Sequence, residues 1–362
     1  MKLKIISLLI VCLVAGSAAA QKLPKPTQLP TALTEAERAE LARGVALHDA
    51  KKYDEAIAVY DAILKLNPDA VVAIYEKALT QYEMKNLNAA MTTAYSGAKY
   101  KSEELPLFYG IMAHCLDDVG KPDEAIAVYR EAEAMLSTER SMKPHLANIY
   151  YNLGVTYVRL KKYSEARAEL KKAVENNFSY PSPHYLLSVV WGNTGYKVPA
   201  LMAALRFVSL EYNTGRTGPA AATIETILKP AEKGPDGKTV INLNLAAPKD
   251  EGDFGLYEML LPTLMMVGDK KDPNKTEAEK FVGALSSLVS MIAEDKDLPK
   301  TFVGRTYVPF LAEMKKRDLV PTFGYMILFI RGNAEAKAWL QRNDDKLGRL
   351  FTFASEYVPA DK

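Results

Sequence analysis

Few residues of this 362-residue chain have types and spacing that could do chemistry. The stretch HCLDD places His114, Asp117 and Asp118 within one helical turn, and these side chains can bind a metal or exchange a proton. A histidine–aspartate contact on a solvated helix face explains the same pattern. We favour that explanation because none of the four histidines has metal-motif spacing. The sequence therefore predicts no catalytic residue, no metal ligand and no cofactor.

Two further stretches offer weaker chemistry. Gly237 to Thr239 reads GKT, like the end of a phosphate-binding loop, but Glu232 stands where the first glycine of that loop belongs. The segment also precedes an expected strand instead of following one. Cys115 has no convincing histidine partner in the sequence and lies between packing residues. We expect a buried, inert thiol there.

The first twenty residues have the pattern of a secretory signal peptide. Lys2 and Lys4 form a basic start, an apolar run follows, and Ala18 to Ala20 supply small residues before a cleavage site at Gln21. The apolar run is about half of the ~20 residues that span a bilayer. The sequence thus predicts an exported, periplasmic or secreted protein, with a signal peptide over residues 1–20 and a flexible leader over 21–35.

Charge and cysteine content narrow the classes of partner. The chain has 46 basic and 44 acidic residues, so losing Lys2 and Lys4 leaves 44 of each. A neutral mature chain argues against nucleic-acid binding, because nucleic-acid binders normally carry a basic excess or a basic stripe. Cys115 is then the sole cysteine, and an internal disulfide is excluded.

The elements that would position these residues follow a repeat. DEAIAVY occurs at Asp54–Tyr60 and again at Asp123–Tyr129. Two sets of small residues recur with gaps of 34, 35, 41 and 34: Gly44, Ala78, Ala113, Gly154 and Ser188, then Ala56, Ala90, Ala125, Ala166 and Ala200. Equal spacing in both sets predicts five units of paired helices, with an insertion near Thr138 to Pro144. Small residues allow the paired helices to cross closely.

The stretches YDEAIAVYDAILKLNP, PDEAIAVYREA and YYNLGVTYVRLKKYSEARAELKKAVE resemble the tetratricopeptide repeat family. The resemblance covers roughly Ala36 to Tyr212. It implies an array of helical hairpins in which the first helix of each unit lines a concave face that holds a segment of a partner. The second repeat departs from the pattern at Ala94 and Gly97. The fifth repeat ends in Tyr212, where a proline is usual.

The resemblance also implies positions for partner binding. Its lining positions correspond here to Arg38, His48, Asp49, Tyr75, Tyr82, Glu83, His114, Asp117, Asp118, Asn148, Tyr151, Arg159, Tyr185 and Asn193. The strongest candidates for partner binding are Tyr75, Tyr82, His114, Asn148, Tyr151, Arg159, Tyr185 and Asn193. Tyrosine offers contact area and a hydroxyl, which suits recognition. The tyrosines could instead cover the seams between stacked units, and the sequence leaves both open. Leu41 and Val45 replace the lysine and asparagine that clamp a carboxylate in chaperone-tail binders.

Beyond the repeats, the sequence predicts a capping helix at Thr217 to Leu228 and then a mainly helical domain over residues 229–362. A short extended segment lies between them, around a Pro-Asp-Gly turn. Further helices are expected over 256–267, 276–293, 301–316, 320–330 and 337–357. The expected aromatic core of that domain comprises Phe302, Phe310, Phe323, Phe329, Trp339, Phe351 and Phe353.

These features predict an all-α fold, a helical-hairpin repeat solenoid over residues 36–228 followed by a mainly helical C-terminal domain. The expected function is non-catalytic binding or scaffolding outside the cytoplasm, with a protein or peptide partner. Two alternatives stay open: an envelope polysaccharide-binding protein, and an enzyme with a site between the array and the C-terminal domain. Nucleic-acid binding and stable membrane insertion of the mature chain are not expected.

Overall fold

The computed structural model describes residues 23–137, 143–229, 232–233, 239–240, 249–271 and 274–359. The predicted signal peptide, the Pro-Asp-Gly turn and most of the predicted insertion lie outside these residues. The chain divides into two compact units, one ending at Glu131 and one beginning at Ala132. The predicted boundary between array and C-terminal domain, at residues 228 and 229, does not coincide with this division.

Most of the described residues are helical. The first unit contains α1 (Glu35–Asp49), α2 (Tyr53–Leu66), α3 (Val71–Glu83), α4 (Leu87–Gly97) and α5 (Leu105–Asp118), and the division falls within α6 (Pro122–Leu136). The second unit continues with α7 (Lys143–Arg159), α8 (Tyr163–Asn176), α9 (Pro181–Asn193), α10 (Lys197–Leu210) and α11 (Thr217–Leu228). It ends with α12 (Gly255–Lys271), α13 (Glu277–Glu294), α14 (Phe302–Lys316), α15 (Val320–Ile330), α16 (Ala334–Gln341) and α17 (Asp344–Glu356). The predicted all-α helical repeat fold is confirmed.

The two sets of small residues lie where paired helices approach most closely. An added Cβ at Gly44 would stand 2.5 Å from Tyr60 Cε1, and one at Gly154 would stand 2.7 Å from Leu170 Cδ2. Both glycines are buried, and so are all the other positions of both sets. The close approach that the small residues were predicted to allow is confirmed at Gly44 and Gly154, and the atoms nearest to an added Cβ at Gly154 belong to Leu170.

A third set with the same spacing lies in the turns within the five hairpins. The backbone has a positive φ at Lys51, Lys85, Gly120, Lys161 and Gly195, with values between 58° and 89°. After each of these residues the next N–H returns to the preceding helix, as in the hydrogen bond from Lys162 N to Tyr157 O at 2.9 Å. This left-handed turn closes the C-terminus of each first helix.

The start of the first unit differs from the predicted flexible leader. Thr27 N and Gln28 N donate to Lys99 O at 2.9 and 3.0 Å, and Leu23 is only 5% exposed. Residues 23–31 are therefore held against the helical hairpins because their backbone groups find partners there. α1 then begins at a capping box, in which Glu37 N donates to Thr34 Oγ1 and Thr34 N donates to the Glu37 carboxylate.

In the second unit, the repeat helices and the later helices share one hydrophobic core. Trp191, Phe207, Phe310 and Phe323 are almost completely buried within it. Two-residue strands, β1 (Glu232–Lys233) and β2 (Thr239–Val240), pair antiparallel where the extended segment was expected. The capping helix occupies the predicted residues as α11.

Two predictions for the last helices are wrong. The helix expected over 337–357 is two helices, α16 and α17, because the Asn343 side chain donates to Trp339 O at 2.8 Å and the chain turns there. Phe329 is 46% exposed on the last turn of α15 and does not belong to the core. Of the other expected core aromatics, Trp339 and Phe351 are partly buried against the core, and the rest are buried.

Candidate partner-binding site

In the first unit, four predicted or neighbouring side chains form a cluster on α3 and α5. The Tyr82 hydroxyl donates to Asp118 Oδ2 at 3.1 Å, and Lys85 Nζ lies 3.3 Å from the same oxygen. The Lys85 ammonium also lies 4.9 Å from the centre of the Tyr82 ring. The centres of the Tyr82 and His114 rings are 5.9 Å apart. We call Tyr82, Lys85, His114 and Asp118 the first-unit cluster.

The electrostatics of this cluster favour a neutral tyrosine beside an ion pair. Burial raises the pKa of Tyr82 to about 12, and the hydrogen bond to Asp118 contributes to the rise because the carboxylate accepts the phenolic proton. Lys85 and Asp118 keep 67% and 23% of their side-chain surface exposed. Cationic, anionic, hydroxyl and aromatic groups are thus presented together on one patch.

Two more predicted positions are Tyr75 on α3 and His48 on α1. The Tyr75 ring packs edge-on against Phe108 at 6.1 Å, and burial raises the pKa of Tyr75. His48 Nδ1 lies 2.8 Å from Thr80 Oγ1. Since that hydroxyl donates its own proton to Glu76 O, His48 donates from Nδ1.

The HCLDD stretch forms the last turns of α5. Asp117 is buried and Asp118 contacts Tyr82 and Lys85. Within the described parts of the chain, no three or more histidine, cysteine, aspartate and glutamate side chains are grouped to hold a metal ion. Cys115 is buried as expected, and burial, followed by the charge of Asp118, raises the pKa of its thiol to about 11.

In the second unit, predicted tyrosines gather around an arginine. The Arg216 guanidinium carbon lies 5.5 Å from the centre of the Tyr185 ring, and Arg216 Nη1 donates to Ser182 Oγ at 3.0 Å. The Tyr151 and Tyr180 rings meet edge-on at 5.5 Å, and Arg216 lowers the pKa that burial raises at each of them. We call Tyr151, Tyr180, Tyr185 and Arg216 the second-unit cluster.

Glu211 holds this arginine in place. Arg216 Nε donates to Glu211 Oε1 at 3.0 Å, and Nη2 contacts the other carboxylate oxygen. The hydrogen bonds to Glu211 are the first cause of the raised pKa of Arg216. The guanidinium is therefore fixed with its face against aromatic rings, an arrangement that leaves little rotamer freedom.

The remaining predicted positions are less involved. Arg159 and Asn193 are exposed near the ends of α7 and α9, and Asn148 is partly buried on α7. Arg38 donates to Leu33 O at 2.8 Å and pairs with Glu35, so it serves its own helix start. Asp49 and Glu83 are exposed at the last residues of α1 and α3.

The structure addresses the two roles that the sequence left open for the tyrosines. Tyr75 joins α3 to Phe108 of α5, and Tyr151 joins α7 to the residue before α9, so both rings cover seams between successive first helices. Tyr82 and Tyr185 lie beside charged groups and keep part of their surface exposed. Seam packing and a polar contact surface therefore coexist along these helices.

Sequence reasoning missed Lys85, Tyr180 and Arg216. Lys85 occupies the left-handed turn position that recurs in every hairpin, so the repeat spacing could have located it. Tyr180 immediately precedes α9, where no lining position was sought. Arg216 lies in the loop between α10 and α11, outside the repeat, and carries no periodic signal.

No helix in the part of the chain that the structure describes is both long enough and apolar enough to cross a membrane. Two models of the tetratricopeptide repeat family match the chain, over residues 32–102 and 106–177. The Hsp70-Hsp90 organising protein of Plasmodium falciparum is 25% identical over 160 residues, which cover 37% of this chain and 28% of that protein. This chain thus corresponds to little more than a quarter of that relative.

Two solved structures are also similar. A thermophilic tetratricopeptide repeat protein of Thermus thermophilus is 20% identical, with a TM-score of 0.43, and the match covers 52% of this chain and 98% of that one. PilF of Pseudomonas aeruginosa is 14% identical, with a TM-score of 0.44, and the match covers 67% and 94%. Neither similarity says what this chain binds. The helical hairpins and the two family matches identify residues 32–102 and 106–177 as tetratricopeptide repeats.

Proposed function

We propose that this is an exported binding protein that performs no chemistry. It holds a segment of a partner protein on the surface formed by the first helices of its hairpins. Tetratricopeptide repeats are typical of protein-interaction scaffolds, which supports the general class. The export rests on the signal-peptide pattern of residues 1–20.

The first-unit cluster is the observation that carries the proposal. Tyr82, Lys85, His114 and Asp118 lie on two neighbouring helices and the turn after one of them, and they combine aromatic area with opposite charges. Interfaces concentrate affinity in such aromatic and charged positions. A partner's main chain can exchange hydrogen bonds with the tyrosine and carboxylate, while its side chains meet the two rings.

A site-specific photo-crosslinker at Tyr82 tests the proposal in the cell. A benzophenone residue replaces Tyr82 in one strain and Glu55, which is exposed on α2, in a matched strain. We expect a discrete protein adduct from position 82 and none from position 55. Adducts to glycan, or equal adducts from both positions, would contradict a protein partner on this surface.

The residue roles are tested on the crosslinked partner once purified. Asp118→Asn keeps the shape of the side chain but removes the charge that pairs with Lys85. We expect Tyr82→Phe and Asp118→Asn each to weaken binding about tenfold, which corresponds to ~1.4 kcal/mol. Glu55→Gln, an exposed change on α2, should leave the affinity unchanged.

Export has its own test. N-terminal sequencing of the protein from an extracytoplasmic fraction should begin at Gln21. A chain that still begins at Met1 and stays with the cytoplasm would refute the export and leave the binding surface untouched.

A further inference from the structure

The first unit holds an extended stretch of its own chain across the loops between hairpins. We call Leu23–Thr31 the N-terminal segment. Thr27 N and Gln28 N donate to Lys99 O, Lys101 N donates to Gln28 O at 2.8 Å, and Gln28 pairs with Tyr100 as a parallel β-bridge. Thr31 N then donates to Asp69 O at 3.2 Å. The segment therefore crosses the α4–α5 loop and then the α2–α3 loop.

One side chain anchors this segment. Leu23 is 5% exposed, and its N–H lies 3.5 Å from Glu131 Oε2 on α6. By contrast, Leu29 is 76% exposed, and Thr27, Gln28 and Pro30 are exposed as well. The segment is thus held by a buried apolar residue at its start and by main-chain hydrogen bonds four and five residues later.

Recognition by main-chain hydrogen bonds tolerates many sequences. The loops supply a carbonyl at Lys99 and an N–H at Lys101, which any extended chain can satisfy. Pro24, Pro26 and Pro30 restrict the segment to extended conformations, so it loses little conformational entropy when it docks. The side chains of the segment add one requirement, an apolar residue at the anchor.

We call the surface of the α4–α5 and α2–α3 loops that the N-terminal segment crosses the track. The end of the track near Thr31 is loosely filled. A cavity of about 360 Å³ lies between residues 30–33 of the chain and Val71, Val72 and residues 102–104. The Ser102 hydroxyl is buried there without a hydrogen-bond partner among the described residues. An extended chain can therefore make contacts along this track that the chain's own segment does not make.

We propose that the loops carrying Asp69 and Lys99–Lys101, together with the anchor position beside Glu131, form a binding site for an extended peptide. This site is separate from the first-unit cluster, and the N-terminal segment occupies it in cis. Its ligand is an extended peptide with an apolar residue placed five residues before the position that pairs with Tyr100. A partner's chain binds there by displacing the N-terminal segment.

Displacement makes the proposal measurable. The probe is a fluorescein-labelled peptide, LPKPTQLPTAL, with the sequence of residues 23–33. In the wild-type chain the tethered segment competes with an effective concentration on the order of millimolar. The double variant Leu23→Asp/Gln28→Pro removes the anchor and one backbone donor, so its site should be open. Fluorescence anisotropy should show at least tenfold tighter peptide binding to this variant than to wild type.

Two matched controls define the specificity. The full-length variant Leu29→Ala changes an exposed residue of the segment and should bind the probe as weakly as wild type does. A probe with aspartate in place of its first leucine should not bind the open variant. If the open variant retains its helical circular dichroism and binds no probe, or binds both probes equally, the proposal is wrong.

Hydrogen exchange tests the same contact without an open variant. The Lys101 amide should be protected in the wild-type chain because Gln28 O accepts its proton. Gln28→Pro should raise its exchange rate at least tenfold, whereas Leu29→Ala should not change it. An unprotected Lys101 amide in the wild-type chain would overturn the proposal.

Discussion

His184 Nδ1 lies 3.0 Å from the hydroxyl oxygen of Tyr307, although 123 residues separate them. Nε2 of the same ring lies 2.9 Å from Phe178 O. Since a carbonyl only accepts, Nε2 carries the proton and Nδ1 accepts from the tyrosine hydroxyl. A fully buried, neutral imidazole therefore connects α9 of the repeats to α14.

Acid should destabilise the second unit through this histidine. Burial, followed by the charge of Arg206, lowers the pKa of His184 from 6.5 to about 3. Below pH 6.5, His184 binds a proton in the unfolded chain but stays neutral in the folded chain. The free energy of unfolding therefore decreases as the pH falls. Through His184 alone, the free energy of unfolding should decrease by ~2 kcal/mol between pH 7 and pH 5. Urea unfolding followed by tryptophan fluorescence checks it, since Trp191 and Trp339 both lie in the second unit.

A variant separates this effect from other titrating groups. His184→Gln should be less stable than wild type at pH 7, because it breaks the two hydrogen bonds. Its deficit should shrink by ~2 kcal/mol at pH 5, because the wild type alone then suffers the proton penalty. A deficit that stays constant across this range would show that His184 does not control the acid response.

The crossing of α7 and α8 should not accept a larger side chain. Ala166 is completely buried on α8, so Ala166→Leu forces overpacking and should cost ~1–3 kcal/mol. Ala168 is exposed on the same helix, and Ala168→Leu is the matched control with no expected loss. Urea midpoints measured by tryptophan fluorescence compare the two. Equal midpoints would mean that the crossing is not tightly packed.

The turn between α7 and α8 should be improved by glycine. Lys161 has a φ of 58°, a conformation that disfavours a residue with a Cβ. Gly195 holds the equivalent turn of the next hairpin. Lys161→Gly should therefore raise the free energy of unfolding by about 0.5–1 kcal/mol. Lys162→Gly, at a position with a φ of −85°, should lower it, and the opposite order would refute the assignment of strain.

The Cys115 thiol should resist modification in the folded protein. It is 1% exposed, and its pKa of about 11 leaves roughly a thousandth of it as thiolate at pH 8. Iodoacetamide followed by mass spectrometry should find the Cys115 peptide unmodified under native conditions and fully modified in urea. Rapid native labelling would show that the first unit opens readily or that the thiol is accessible.

Cys115→Ala and Cys115→Ser should separate size from polarity. Both remove the thiol, but serine also buries a hydroxyl, which costs more unless a partner is found. We expect the serine variant to be the less stable of the two in thermal unfolding followed by circular dichroism. The reverse order would indicate an acceptor near this position.

The five hairpins could be predicted because their cause is local and periodic. Gly44 and Gly154 must be small because Tyr60 and Leu170 of the next helix contact them closely. Small residues recur at the equivalent position of every repeat. Burial of Cys115 followed from its place between packing residues. The positive-φ turns could not be predicted in the same way, because three of the five residues are lysines and lysine has no preference for the left-handed conformation.

Five of the eight residues in the two clusters followed from repeat positions, and three did not. Tyr82, His114, Asp118, Tyr151 and Tyr185 lie on the first helices of successive hairpins, so the family pattern located them. Arg216, which contacts Tyr185, comes from a loop that the repeat does not specify. Its position depends on the course of the chain after α10, and no spacing encodes that course.

The sequence by itself determined the hairpin repeat and its register, because adjacent helices impose short-range and recurring requirements on residue size. Only the tertiary structure decided that Gln28 pairs with Tyr100, that His184 meets Tyr307 and that Arg216 lies against Tyr185. The contact between His184 and Tyr307 pairs two buried polar groups, which burial would otherwise leave unsatisfied. The other two join residues that lie 72 and 31 positions apart in the sequence. Such partners are chosen by three-dimensional proximity, which leaves no periodic mark along the chain.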